Sequence, residues 1–470
     1  MRLILVGAAL VAAGLLPATA HAQNADSLAD GDAGALAVDS LSASRAADSL
    51  ASAPPASGLP LSLGEAEALA LSRNERVLIA REEIERTRGL VREVRARALP
   101  TLDVNYTYTR NIQQPVIFFN QNGEVQQIRI GSDNDNILSF QLEQTLFSPA
   151  INAASRAARI SEQVSRLALE DTGEQLVRDV RVAYYTALLG DALVRVQEAA
   201  LAQAGRRLEQ VRRFLEVGTA AEFDVLTAEV EAENIRPQLI VARNDQALAL
   251  NNLKRLVGIP LEEEVQLTDS LTFEPVEATL EQAREHALLQ RDDLRRQEAT
   301  VQFQQQVLAA ERAASFPELS FNLNLSRRAS SDEFVPSTLE FSQATSAAVE
   351  LDIPVFDGRA TEGRVRQARA QLNEDEFAHS ALRQDIELQV QQSYQSVLSA
   401  KEATEAARST LGRAERALQI AETRFKNGLS TQLELNDAEL AVTQSRSTLA
   451  RALYAYNVAR ADLQRAMGER

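Results

Sequence analysis

Past residue 62 the apolar residues follow two spacings, and each spacing predicts a different element. Four short stretches alternate with period two. In the first, Leu102, Val104, Tyr106 and Tyr108 oppose Asp103, Asn105, Thr107 and Thr109. In the second, around 137–146, Leu138, Phe140 and Leu142 oppose Ser139, Gln141 and Glu143. The third sets Leu319, Phe321, Leu323 and Leu325 against Ser320, Asn322, Asn324 and Ser326. The fourth sets Val349, Leu351, Ile353 and Val355 against Glu350 and Asp352. Successive side chains of a strand point to opposite faces, so each stretch predicts a strand with one apolar and one polar side. That pattern suits a membrane β-barrel with lipid outside and water inside. It suits a half-buried soluble sheet as well, and the strands alone do not decide.

The helical spacing covers much longer runs. Residues 149–217 and 358–427 form near-continuous patterns of 69 and 70 residues, each about 105 Å long at 1.5 Å per residue. The seam Val397, Ala400, Thr404, Ala407, Leu411, Ala414, Leu418, Ala421, Phe425 steps by three and four, as in a heptad. Alternate seam positions are mostly alanine, which allows close helix approach. Flanking helices at 64–98, 221–256, 280–315 and 429–467 are about half as long. Two short helices stacked end to end against one long one, twice, predict an antiparallel coiled-coil rod. Strands lie at one end of the rod and hairpin tips at the other. Pro237 should kink or divide the 221–256 helix.

The two halves repeat one plan. LPTLDVNYTYTR begins at Leu99 and FPELSFNLNLSR at Phe316, 217 positions later. QTLFSPA (144–150) matches IPVFDGR (353–359), Gly218 matches Gly428, and LVG (256–258) matches AMG (466–468). Such self-similarity is a strong architectural signal. It divides the chain into repeat 1 (62–258), a linker (259–279) and repeat 2 (280–470), an α+β fold. Four strands cannot close a barrel, and open edges are not tolerated in lipid. The chain must then oligomerise, and three copies would supply 12 strands, an even number within the bacterial range.

Composition narrows the function. MRLILVGAALVAAGLLPATAHA (1–22) reads as a signal peptide ending in Ala20-His21-Ala22. Its apolar run is shorter than the roughly 20 residues of a membrane span. Residues 23–61, with repeated Asp-Ser-Leu units, read as a disordered leader. The chain has no cysteine, hence no disulfide framework and no acceptor for a lipid anchor. A net charge of −17 argues against nucleic acid. Three histidines (His21, His286, His379) form no H-E-x-x-H site, and Lys254, Lys401 and Lys426 close no phosphate-binding loop. No catalytic set, cofactor or metal site is expected.

From about residue 62 to Gly468 the chain resembles the TolC-type outer-membrane efflux factor family. The duplicated plan carries the likeness, with IPVFDGRATEGRV (353–365) at the strand-to-helix passage and the tip motifs VGTAAEFDVLTAE and NGLSTQLELNDAE. The resemblance implies a homotrimer whose 12-stranded barrel crosses the outer membrane, continued by a helical tunnel into the periplasm. It implies a passive exit duct, docked on a periplasmic adaptor that leads to an inner-membrane pump of the RND, ABC or MFS type. Anchoring would rest on the barrel in lipid, since the lipidated cysteine of many members is missing. The competing reading is a periplasmic coiled-coil scaffold or adaptor without a barrel.

At the tips, Thr431-x-x-Glu434 and Thr219-x-x-Glu222 read as capping boxes. Glu434 and Asp437, three apart, share a helix face, and Asp437 lies beyond the reach of the cap. Acids at these positions in the family line the periplasmic aperture. At about 6 Å and an effective dielectric of about 20, one like-charged pair costs roughly 3 kcal/mol. Six carboxylates around one axis should therefore share protons or attract a cation. The resemblance also implies a tether from Asp224 to an aromatic and a basic residue, yet Phe425 and Ser430 stand at those positions. Neither can supply the hydroxyl or the charge. The turns at Gly218-Thr219 and Gly428-Leu429 are the expected adaptor contacts.

Overall fold

The computed structural model describes residues 58–121, 124–334 and 341–469. The signal peptide and nearly all of the leader lie outside them. In the first half the elements are β1 (Leu59–Leu61), α1 (Leu63–Arg73), α2 (Glu75–Ala96), β2 (Thr101–Arg110), β3 (Val116–Gln121), β4 (Glu124–Arg129), β5 (Asn134–Phe147), α3 (Pro149–Glu216) and α4 (Glu222–Val257). Then follow β6 (Val265–Leu267), α5 (Leu280–Gln290), α6 (Asp292–Ala313), β7 (Glu318–Ser331), β8 (Phe341–Asp352), α7 (Ala360–Lys426) and α8 (Gln432–Met467).

The four expected strands form one antiparallel sheet in the order β2-β5-β7-β8. Its register sets one row of apolar residues across all four. Leu102 faces Leu142, Leu142 faces Leu323, and Leu323 faces Ala347. One row over, Asp103, Gln141, Asn324 and Ser346 make the polar counterpart. The outer edges of β2 and β8 have no strand beside them among the described residues, and both strands are exposed along their length. The β3–β4 hairpin, inserted between β2 and β5, is a second sheet that the period-two reading did not include. Ile353 and Val355 fall beyond the end of β8.

β5 and β8 each hand over to a long helix at a built-in cap. Ser148 caps α3, accepting from the Ile151 N–H, with Pro149 in the first turn where a missing N–H costs nothing. Ahead of α7, Gly358 and Arg359 both take positive φ, and Asp357 accepts from the Thr361 N–H at 2.7 Å. The long helices run 68 and 67 residues, about 100 Å each. Every position of the α7 seam from Val397 to Phe425 is buried or half-buried.

Three expectations need correction. Neither 64–98 nor 280–315 is one helix; the first breaks at Asn74 and the second at Arg291, where the backbone is extended. The ends of α4 and α8 run into these points. A Cβ on Gly258 would lie 2.9 Å from that of Arg73, and one on Gly468 would lie 3.0 Å from the Arg291 nitrogen. Pro237 does not divide α4. It is exposed, between buried Ala232 and Leu239, so the lost hydrogen bond falls on the solvent side. Finally, the leader ends before residue 59, because β1 pairs in parallel with β6 of the linker.

Two buried clusters sit at the breaks. The first gathers Leu61, Val77, Leu176, Val180, Tyr184 and Leu253; the second gathers Ile386, Val390, Val397, Tyr456 and Leu463. Two fully buried tyrosines pin the linker between them. The Tyr184 hydroxyl donates to Asp269 at 2.7 Å, and that of Tyr456 donates to the Glu274 carbonyl at 2.6 Å. Arg465 of α8 meets buried Asp171 (2.7 Å) and Glu174 (3.3 Å) of α3, an ionic joint between the repeats.

Candidate functional site

The end of the rod far from the sheet is built from two turns. Thr219 N–H donates to the Phe214 carbonyl and Leu429 N–H to the Arg424 carbonyl, each at 2.8 Å. Gly218 and Gly428 supply the left-handed residues (φ 77° and 68°) that close this type of helix end. Both glycines face open space, so backbone conformation alone requires them.

The two returning helices start differently. Thr431 caps α8, its hydroxyl accepting from the Glu434 N–H at 3.3 Å, the threonine half of the expected box. Thr219 does not cap α4. Its hydroxyl donates to the Phe214 carbonyl, α4 begins three residues later at Glu222, and Asp224 accepts from the Ala221 N–H at 2.9 Å. The acid singled out for a tether thus satisfies the start of its own helix. Phe425 and Ser430 are half-buried, and no hydrogen bond joins Asp224 to Ser430 within the protomer, among the described residues.

Glu434 and Asp437 are both exposed. They part company, however, at a cleft between α3, α4 and α8. Leu433, Asn436, Asp437 and Leu440, spaced as one helix face, line it, while Glu434 does not. At the cleft lies a residue that sequence reading missed. Arg207 of α3 is 8% exposed, donates to Glu231 of α4 at 2.7 Å, and pairs with Glu439 and Asn436 of α8. Asn436 in turn donates to Glu231. One buried guanidinium therefore ties three helices together beside Asp437. Burial pushes its pKa below the ordinary arginine value, with Glu231 pulling the other way. A signal existed: Ala204, Arg207 and Val211 share a buried helical stripe, so a charge stands at a seam position. Its counterpart 210 positions on is Ala417.

The comparisons with known proteins agree with this architecture. A family model described as outer membrane efflux protein matches residues 68–259 and 283–469. The alkaline protease secretion protein AprF of Pseudomonas aeruginosa is 24% identical, over 84% of this chain and 82% of its own length. The outer membrane protein TolC of Escherichia coli is 22% identical over 80% of this chain and 76% of its own. Among solved structures, the Campylobacter jejuni CmeC outer membrane channel superposes with a TM-score of 0.73 at 17% identity, covering 86% of this chain and 85% of that one. The chain belongs to the outer membrane efflux protein family, and its place is the outer membrane.

Proposed function

We propose that three copies of this chain form an exit duct across the outer membrane, docked at its helical tips on a periplasmic adaptor that leads to an inner-membrane pump. The observation that carries it is the sheet. Its four strands set apolar residues side by side in the row Leu102, Leu142, Leu323 and Ala347, its two edges have no strand beside them among the described residues, and helices about 100 Å long continue it. Lipid tolerates such strands only in a closed barrel, which β2 of one protomer and β8 of the next would complete. The secretion role in the name of AprF and the efflux role in the family's description favour the same assignment, and it gives the chain no catalytic task. Recovery from the outer-membrane fraction only with detergent, as a trimer that forms conducting pores in planar bilayers, is the expected outcome. A water-soluble monomer would leave the periplasmic scaffold standing instead.

Within that duct Glu434 and Asp437 form the cation-favouring constriction of the tip. The double variant Glu434→Ala/Asp437→Ala is expected to raise single-channel conductance, reduce cation selectivity and relieve block by multivalent cations. No change in any of the three would remove the acids from the gate.

A further inference from the structure

The four-stranded sheet keeps its acids on one face. Asp103, Asp135, Glu143 and Glu350 share the polar side, which a closed barrel turns inward. The strand positions on the face of Leu102, Leu142, Leu323 and Ala347 include no acid among the described residues, and their charges are two arginines, Arg110 and Arg327. Both stand toward the strand ends away from the helices. Arg110 is already engaged, donating to Asn134 at 3.2 Å with its guanidinium 5.7 Å from the Phe334 ring. Arg328 turns to the polar face and pairs with Asp135 at 3.1 Å. Arg327 is exposed and has no hydrogen bond or ion pair among the described residues.

Its row holds Tyr106, Leu138 and Gln343. At about 3.4 Å per residue and a strand tilt of about 40°, Arg327 stands about 23 Å above Glu318, at the outer edge of the apolar band of about 25 Å. Tyr106 and Tyr108 share this face at that level, where barrels carry an aromatic girdle. A guanidinium at this height meets lipid headgroups rather than acyl chains. Its planar fork matches a phosphate through paired hydrogen bonds. The amide of Gln343, its cross-strand partner, brings a second donor to the same point.

We propose that Arg327, with Gln343 beside it, holds the phosphate headgroup of an anionic outer-leaflet lipid on the rim of the barrel, one lipid per protomer. The site depends on the duct reading, since only a closed barrel turns this face to lipid.

Native mass spectrometry of the full chain, purified in detergent as a conducting trimer, reads out bound lipid. Dimyristoyl phosphatidic acid and dimyristoylglycerol share their acyl chains and differ in the phosphate. The trimer should bind phosphatidic acid about tenfold more tightly and saturate at about three lipids. A net charge of −17 repels anions in general, so such a preference needs a local cation. Arg327→Gln should erase the preference, Arg327→Lys should keep part of it through charge without the fork, and Arg110→Gln should leave it intact. If Arg327→Gln does not assemble, Gln343→Glu sets a carboxylate beside the guanidinium and should erase the preference instead. Excess inorganic phosphate should leave the lipid bound; displacement would make free phosphate the ligand and overturn the lipid assignment. A conducting trimer without the preference, or a preference that survives Arg327→Gln or Gln343→Glu, would overturn the proposal and leave the duct standing. A chain that forms no trimer would remove the duct, and the site with it.

Discussion

The breaks at Asn74 and Arg291 occupy the same point of the two repeats, 217 positions apart, and do the same job with different chemistry. In repeat 1 a neutral amide suffices. Asn74 accepts from the Arg76 N–H and donates to the Leu256 carbonyl, both at 2.9 Å, so one side chain starts α2 and finishes α4. In repeat 2 the same point holds a buried ion pair, Arg291 to Asp293 at 2.5 and 3.0 Å, with Gln389 at 2.9 Å. The backbone geometry is common; the electrostatics are not. A neutral cap loses a hydrogen bond when mutated, whereas a broken buried pair strands a charge.

The largest expected effect follows from that contrast. Arg291→Ala removes the ion-pair partner of buried Asp293, which keeps only the Leu294 N–H and the charge of Arg465, and should cost about 3–5 kcal/mol, against about 1 kcal/mol for Asn74→Ala. Thermal unfolding of the two variants checks the order, and equal losses would break the comparison. Next come Gly258→Ala and Gly468→Ala. Both replace a left-handed glycine pressed against the opposite break, so each should cost about 1–2 kcal/mol from φ alone. Similar values in the two repeats would show that the shared backbone, not the differing side chains, sets this term.

At the tips the asymmetry predicts a smaller gap. Thr431→Ala removes a cap and should destabilise by about 1 kcal/mol, while Thr219→Ala should fall within about 0.5 kcal/mol of the native chain. Local hydrogen exchange of α8 and α4 would read this out. The smallest effect is on pH. Burial alone would raise the Asp293 pKa, but the bond and charge of Arg291, aided by Arg465 and the Leu294 N–H, hold it below the usual carboxylate range. Its stabilisation is therefore complete above the unfolded value of about 3.9 and is lost as pH falls through the lower folded value. Asp293→Asn should flatten the melting temperature below about pH 4, and Asn74→Ala should leave that slope unchanged.

The tertiary structure also redistributed the tip residues. Thr219 and Thr431 look equivalent in sequence, each followed three residues later by glutamate, yet only Thr431 caps a helix. The choice depends on where the preceding turn releases the chain, and the Phe214 carbonyl captures Thr219 first. Arg207 was written in the sequence as a charge on an otherwise apolar stripe. Its partners lie 24, 229 and 232 positions away, beyond any local pattern. Conversely, the split between Asp437, which lines the cleft, and Glu434, which does not, is invisible to an i, i+3 spacing that puts both on one face.

What the sequence determined by itself was everything that periodicity encodes: four alternating strands, two helices of some 70 residues, their duplication, and a glycine at each tip. Those features depend on side-chain spacing and backbone freedom, which are local. Only the tertiary structure decided where the shorter helices break, how β1 and β6 close the middle of the rod, and which buried charges hold it. These rest on residues hundreds of positions apart meeting in a low-dielectric interior, where a single contact either satisfies a charge or leaves it exposed to its full desolvation cost.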